Sequence, residues 1–347
     1  MKFHVIERHD LENARCPFRI AHDNGDEVEW VNLFLDQQRV RSVAETSLRS
    51  YAFDLLHFVR WWVQVNHSTR VTAKVLTESL LVDYIRFQTN QQPPPAAASI
   101  NRRVGVAERA LQLALPNAQT PFLRGFRYGY WRPVPLGTAR PSPALSRLRV
   151  RTPKRVIVPL SIEEVAHFWS SFRTSRDLAI VGLMLLDGLR SCEVLALNRE
   201  DLLFSESQMH VRGKGNKRRW LPLTPEAMQL LDHYLLLERP SNCGSPLFVS
   251  LKGRARGRRM TAAGLRSLFR HHRRITDVSK ANPHRFRHTF ATDMLRNGIS
   301  LPALMHLMGH TKIQTTMIYV QLTAQDVYQQ YARAVAQHIR CLPSAQS

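Results

Sequence analysis

A stretch that neither helix nor sheet can cross divides this chain. Between Glu108 and Glu163 there is no acidic residue, and Pro133, Pro135, Pro141, Pro143, Pro153 and Pro159 recur through that window. Proline fixes φ and removes a backbone donor, so helix interiors and central strands do not pass through such a run. Arg124, Arg127, Arg132, Arg140, Arg147, Arg149, Arg151, Lys154 and Arg155 fall in the same window. Unbalanced charge holds a segment open, and arginine in preference to lysine suits bidentate contact with phosphate. Residues 117–159 are therefore expected to be an extended basic linker lying on a nucleic-acid backbone. Arg147, Arg149, Arg151, Lys154 and Arg155 are its expected contacts.

Composition fits two folded domains around that linker. The chain has 347 residues, 44% of them hydrophobic, enough for two cores and too many for wholesale disorder. Lys and Arg number 49 against 27 Asp and Glu, a net charge of +22. Such an excess points first to nucleic acid and second to an anionic membrane surface. No basic amphipathic anchor flanks the chain ends, which disfavours the membrane. No apolar run reaches the length of a spanning helix, and the opening MKFHVIERHD is not a signal peptide. Cys16, Cys192, Cys243 and Cys341 form no CxxC pair, as expected of a reducing compartment. The expected location is the cytoplasm, in association with the nucleoid.

Periodicity predicts a mainly α (α+β) protein. Residues 1–26 show no clear period and read as an N-terminal extension. Over 27–116, Leu48, Tyr51, Leu55, Phe58, Val59 and Trp62 fall on one helix face. A second helix around 80–87 opens near Thr77. A third carries Ile100, Val104, Ala107, Leu111 and Leu115 and stops at Pro116. Residues 160–337 open with Ser161-Ile-Glu-Glu164, a capping box. A helix runs to a break at Gly188, and 208–212 and 219–223 alternate about a Gly213-Lys-Gly-Asn216 turn, the signal of a hairpin. Thr224-Pro225 and Thr261 each open a helix. Residues 284–297 are helical, Ser300 starts a short helix closed by Gly309, and further helices are expected at 315–321 and from Thr323. Residues 338–347 read as a tail.

Four local features carry chemistry. Arg190 follows the glycine break in Asp187-Gly-Leu-Arg-Ser-Cys-Glu193; Lys214 and Lys217 sit at the hairpin tip; Pro283-His-Arg-Phe-Arg287 opens a helix; and Gly309-His310 precedes Tyr319. His284 and Arg287 are three apart, so they share a helix face. Two arginines, two histidines, a lysine and a tyrosine, without paired carboxylates, suit phosphoryl transfer driven by the protein's own positive charge. His284 and His288 have a zinc-like spacing, but the intervening Arg-Phe-Arg and the lack of a third ligand lead us to expect no metal and no cofactor.

The ordered set resembles the tyrosine recombinase (phage integrase) family. The matching segments are Gly-Leu-Arg190-x-x-Glu193, the hairpin Gly-Lys214-Gly-Asn-Lys-Arg-Arg-Trp-Leu-Pro-Leu223, His284-x-x-Arg287-His-x-x-Ala-Thr292, Gly-His310 and Tyr319, over about 160–330. Phe286 and Met308 stand where the family usually has leucine, and both remain apolar. The resemblance implies a helical core-binding domain over 27–116, followed by a catalytic domain. It implies that Tyr319 attacks a DNA phosphodiester to form a 3′-phosphotyrosyl bond. Arg190 and Arg287 would stabilise the transition state and Lys214 would protonate the leaving 5′-oxygen, with Lys217 the alternative. His284 would act as base and His310 would hydrogen-bond the phosphate, while Glu193 would orient its neighbours. The resemblance also implies double-stranded DNA with paired inverted half-sites, bound by two to four copies of the chain, with or without accessory proteins. The task could be integration, excision, transposition of a mobile element, or resolution. A type IB topoisomerase shares this logic but usually has Lys or Arg at the position of His284. A catalytically silent DNA-binding relative would have lost a key residue. Basic residues at 252–274 supply further expected DNA contacts, among them Arg256, Arg258 and Arg259. The face of Val327, Tyr328, Tyr331, Ala334 and Val335 is expected to pack on a neighbouring copy.

Overall fold

The computed structural model describes residues 2–8, 15–72, 79–115, 148–152, 158–213, 218–310 and 313–317, with the isolated positions Ala332 and Val335. The chain divides into two compact units, Met1–Arg155 and Val156–Ser347.

The first unit is a four-helix cluster with a β-hairpin built into it. Its helices are α1 (Glu29–Val40), α2 (Glu45–Asn66), α3 (Leu80–Thr89) and α4 (Ala97–Ala114). The α2 stripe read from the sequence is the buried one, since Leu48, Leu55, Phe58, Val59 and Trp62 are all within the core. Thr77 lies outside the described residues. Residues 1–26 are more than an extension. Strands β1 (Phe3–Glu7) and β2 (Phe18–His22) pair antiparallel, Phe3 opposite His22 and Glu7 opposite Phe18. Phe3, Phe18 and Ile20 enter the helical core, which is the physical reason these strands belong to the unit. The hairpin is also tied by charge: Arg19, almost fully buried, binds Asp36 at 2.7 Å and Glu27 at 2.7 Å.

The linker expectation falls largely outside the described residues, and Arg147, Lys154 and Arg155 fall there with it. The described piece, Leu148–Thr152, is not free of the first unit. Leu148 and Val150 pack against its core, and Asn101 brackets Val150 with two hydrogen bonds of 2.9 and 2.8 Å. Arg149 and Arg151 alternate with these apolar residues and are exposed.

The second unit is mostly helical around a small sheet. Its helices are α5 (Ile162–Ser170), α6 (Ser175–Leu185), α7 (Ser191–Ala196), α8 (Pro225–His233), α9 (Ala262–Thr276), α10 (Pro283–Arg296), α11 (Leu301–Met308) and α12 (Ile313–Met317). Strands β3 (Leu202–Leu203), β4 (Gln208–Arg212) and β5 (Arg218–Pro222) form an antiparallel sheet in that order. Met209, Val211 and Leu221 alternate inward, fixing the register in which Met209 faces Leu221. Ser161 and Glu164 form the capping box at α5. Helix α6 buries Ile180, Val181, Leu183 and Met184 and packs against α8 and α10. Lys214, Lys217, Tyr319 and the helix expected from Thr323 lie outside the described residues, as does its apolar face apart from Val335. Among the described residues no helix is long and apolar enough to cross a membrane.

Gly188 shows how closely the break after α6 is packed. Its φ is +64°, and an added Cβ would lie 2.3 Å from the Phe290 ring of α10 and 3.2 Å from the Met308 sulfur of α11. An L side chain is therefore refused twice, by conformation and by space. Gly188→Ala is expected to lower stability by about 2–4 kcal/mol, read as a drop in the chemical-denaturation midpoint. An unchanged midpoint would contradict this packing.

Candidate active site

Three chain segments deliver the described site residues, and each is placed by local chemistry. Arg190 is the N-cap of α7, held there because Glu193 reaches back to its backbone N–H at 2.9 Å. Asn282 caps α10 by accepting from the Arg285 N–H at 3.0 Å, with Pro283 at the first turn. That start places His284 and Arg287 one turn apart. Helix α11 ends on Gly309 at φ +60°, where the His310 N–H donates to the Met305 carbonyl at 2.9 Å and turns His310 out of the helix.

These segments meet on Glu193, a buried carboxylate. Arg190 Nη1 is 2.8 Å from Glu193 Oε1, and Arg287 Nη1 is 3.6 Å from Oε2. Arg287 also donates to the carbonyls of Gly188 and Met308, which ties α10 to the glycine break and to the end of α11. His310 Nε2 is 3.2 Å from Arg287 Nη2, and its Nδ1 is 2.8 Å from Thr316 Oγ1 on α12. A guanidinium only donates, so His310 Nε2 accepts here and Nδ1 carries the proton. His284 Nε2 lies 3.0 Å from His288 Nε2. Arg190, His284, Arg287 and His310 are thus brought together, whereas Lys214 and Tyr319 are not described.

The electrostatics follow from that crowding. Burial alone would raise the Glu193 carboxyl, but the Arg219 hydrogen bonds, the Arg190 N–H and the two positive charges hold it below the usual range. Burial lowers His310 to about 4, helped by Arg287, Arg190 and Arg219 and opposed by Glu193. Burial and the charges of Arg287, Arg190 and Arg285 also lower His284. At neutral pH both imidazoles are uncharged.

Two residues here escaped the sequence reading. Arg219 on β5 clasps both Glu193 oxygens at 3.0 and 3.1 Å and donates to the Leu307 carbonyl at 3.2 Å. The available signal was strand alternation, which puts Arg219 on the same face as buried Leu221 and so in need of an acid. Asp187 is the other. It is buried just before Gly188, its Oδ2 meets no hydrogen-bonding group among the described residues, and burial pushes its carboxyl up to about 8. A carboxyl that keeps its proton to about pH 8 when folded, against 3.8 otherwise, weakens the fold steadily as pH rises between those values. Asp187→Asn should therefore melt close to the wild type at pH 4 and above it at pH 8. The gain should grow by up to about 1.4 kcal/mol per pH unit. A pH-independent difference would mean the carboxyl is ionised in the fold.

The expected DNA contacts divide. Arg256 and Arg258 are exposed. Arg259 is half-buried, and its guanidinium donates to the carbonyls of Leu195 and Leu197, at 2.8 and 3.2 Å, and to Asn198. These backbone acceptors, hidden from a sequence reading, make Arg259 a clamp on the end of α7. Among the described residues no three His, Cys, Asp or Glu side chains are grouped so as to hold a metal ion.

The sequence pattern of the phage integrase family matches residues 157–326. Tyrosine recombinase XerC of Alcanivorax borkumensis is 32% identical over 246 residues, covering 68% of this chain and 76% of that protein. The chain belongs to the phage integrase family of tyrosine recombinases. It is a site-specific recombinase. Tyrosine recombinase XerD of Lacticaseibacillus casei is 27% identical over 310 residues, 86% of this recombinase and 94% of that one. The fold is shared with the Tn1549 transposon integrase solved with transposon right-end DNA, at a TM-score of 0.62 and 18% identity over 88% of this chain and 99% of that one. It is shared too with the XerH recombinase bound to difH substrate, at 0.60 and 19% over 87% and 84%.

Proposed function

We propose that this recombinase cuts and rejoins duplex DNA through a covalent bond between Tyr319 and the 3′-phosphate. One observation carries the reading: Arg190 and Arg287, nearly a hundred residues apart in sequence, converge on one carboxylate with His310 against Arg287. Guanidinium groups so placed fit the non-bridging oxygens of a single phosphate and the charge that grows on them in the transition state. The Tyr319 phenol oxygen attacks phosphorus and passes its proton to neutral His284. The P–O5′ bond breaks, and Lys214 donates a proton to the departing 5′-oxygen, with Lys217 as the alternative donor. His310 binds the phosphate. The phosphotyrosyl ester retains the energy of the broken bond, so a 5′-hydroxyl from a second strand reseals it without ATP.

Exposed Arg149, Arg151, Arg256 and Arg258, together with Arg147, Lys154 and Arg155, are the proposed backbone contacts. They supply affinity and salt dependence rather than sequence choice. The DNA is proposed to present inverted half-sites, each held by one copy of the chain, within the cytoplasm. Residues 27–116 form the core-binding part and 160–337 the catalytic part. The test begins by selecting bound sequences from random duplexes. A nicked duplex built on the selected sequence should then trap a denaturation-resistant adduct at the 3′ side of the cut. Selection of inverted half-sites without any adduct would leave a DNA-binding protein and overturn the reading.

A further inference from the structure

Glu193 places a negative charge directly beneath a site proposed to hold a phosphate. Left to itself, that carboxylate would oppose the phosphate and compete with it for Arg190 and Arg287. Arg219 offsets that negative charge. Its guanidinium takes both Glu193 oxygens, at 3.0 and 3.1 Å, and its own exposure is low. Its third contact, Nε to the Leu307 carbonyl at 3.2 Å, reaches the last turn of α11, just before His310. Gly309 completes the seat: a Cβ there would lie 2.8 Å from Arg219 Nη1 and 3.0 Å from Cζ. The missing side chain lets the guanidinium lie flat against the turn that aims His310.

We propose that Arg219 is a positioning residue whose charge offsets that of Glu193, so that the cluster of Arg190 and Arg287 around this carboxylate keeps a net positive charge toward the scissile phosphate. Arg219 touches neither substrate nor reacting atoms; it acts through the charge of Glu193, and its contact with the Leu307 carbonyl seats it there. The idea rests on the strand-cleavage reading above, and it makes a claim about charge that a packing role does not. If Arg219 works by cancelling Glu193, its loss matters only while Glu193 is charged.

The experiment measures covalent adduct formation at saturating nicked duplex, carrying the sequence the protein selects, alongside duplex affinity and thermal stability. Four forms are compared with wild type: Arg219→Gln, Arg219→Lys, Glu193→Gln and the Arg219→Gln/Glu193→Gln double variant. Arg219→Gln should slow adduct formation by about 100-fold, the scale of a lost charge-assisted contact at such a site, with duplex affinity little changed. Arg219→Lys keeps the charge but not the fork, and should recover part of the rate. The double variant should react no more slowly than Glu193→Gln alone, because the charge to be cancelled is gone. Losses that multiply in the double variant, or Arg219→Gln within about threefold of wild type at saturation, would overturn the proposal. Failure of wild type itself to form an adduct would instead sink the cleavage reading.

Discussion

Phenylalanine at position 319 is expected to abolish covalent capture of DNA while leaving duplex affinity intact. The substitution removes one oxygen and keeps the ring, so only the nucleophile is withdrawn. No neighbouring group replaces it in the proposed scheme: His284 and His310 are needed as proton acceptor and phosphate ligand, and a histidine adduct would be acid-labile. A phenol has a pKa near ~10, so its attack at neutral pH depends on a proton acceptor close by. His284 is the proposed acceptor, and burial and three nearby arginines keep it uncharged at neutral pH. The measurement is denaturing electrophoresis of labelled nicked duplex with each protein, paired with a binding titration. An adduct in the phenylalanine variant would place the nucleophile elsewhere. Lost binding would mean that the oxygen serves the fold.

The second large effect is expected at Arg287. Alanine there should slow cleavage by about 10²–10³-fold, the loss typical of removing one donor from developing negative charge. It should also destabilise the second unit by about 2–4 kcal/mol, since the buried carbonyls of Gly188 and Met308 lose their donor. The structure supplies both halves of this expectation. Arg287 is 2% exposed, faces Glu193, and donates to the carbonyls of Gly188 and Met308. Lysine separates the two effects: it restores charge but cannot span both carbonyls, so the fold should recover less than the chemistry. Single-turnover cleavage and thermal unfolding of both variants provide the check. An alanine variant that cleaves within a few-fold of wild type would remove Arg287 from the phosphate.

How much of this was legible beforehand differs by type of interaction. Local rules were readable. The capping box at Ser161, the stop at Gly188, the strands either side of Gly213 and the helix read over 284–297 all depend on neighbours within a few residues, and each appears close to where the sequence puts it. The recombinase family was legible because its key residues are chemically rare in combination. What stayed hidden was long-range pairing. Arg259 finds backbone carbonyls some sixty residues earlier, and Arg219 finds an acid 26 residues away. An arginine bound to the protein looks in sequence just like one free to meet DNA. The N-terminal strands were missed for a related reason: each has only five residues, and each is buried by helices that come later in the chain.

That hairpin has a consequence for how the protein is made. Phe3 is nearly inaccessible in the finished fold, and its carbonyl accepts from Arg60, 57 positions downstream. During synthesis the first strand leaves the ribosome well before α2, and α4 follows later still. The apolar edge of the nascent chain must therefore wait uncovered, at translation speeds of about 5–20 residues per second, for a few seconds or more. A tag or fusion partner placed against the first residues intrudes on that delayed docking.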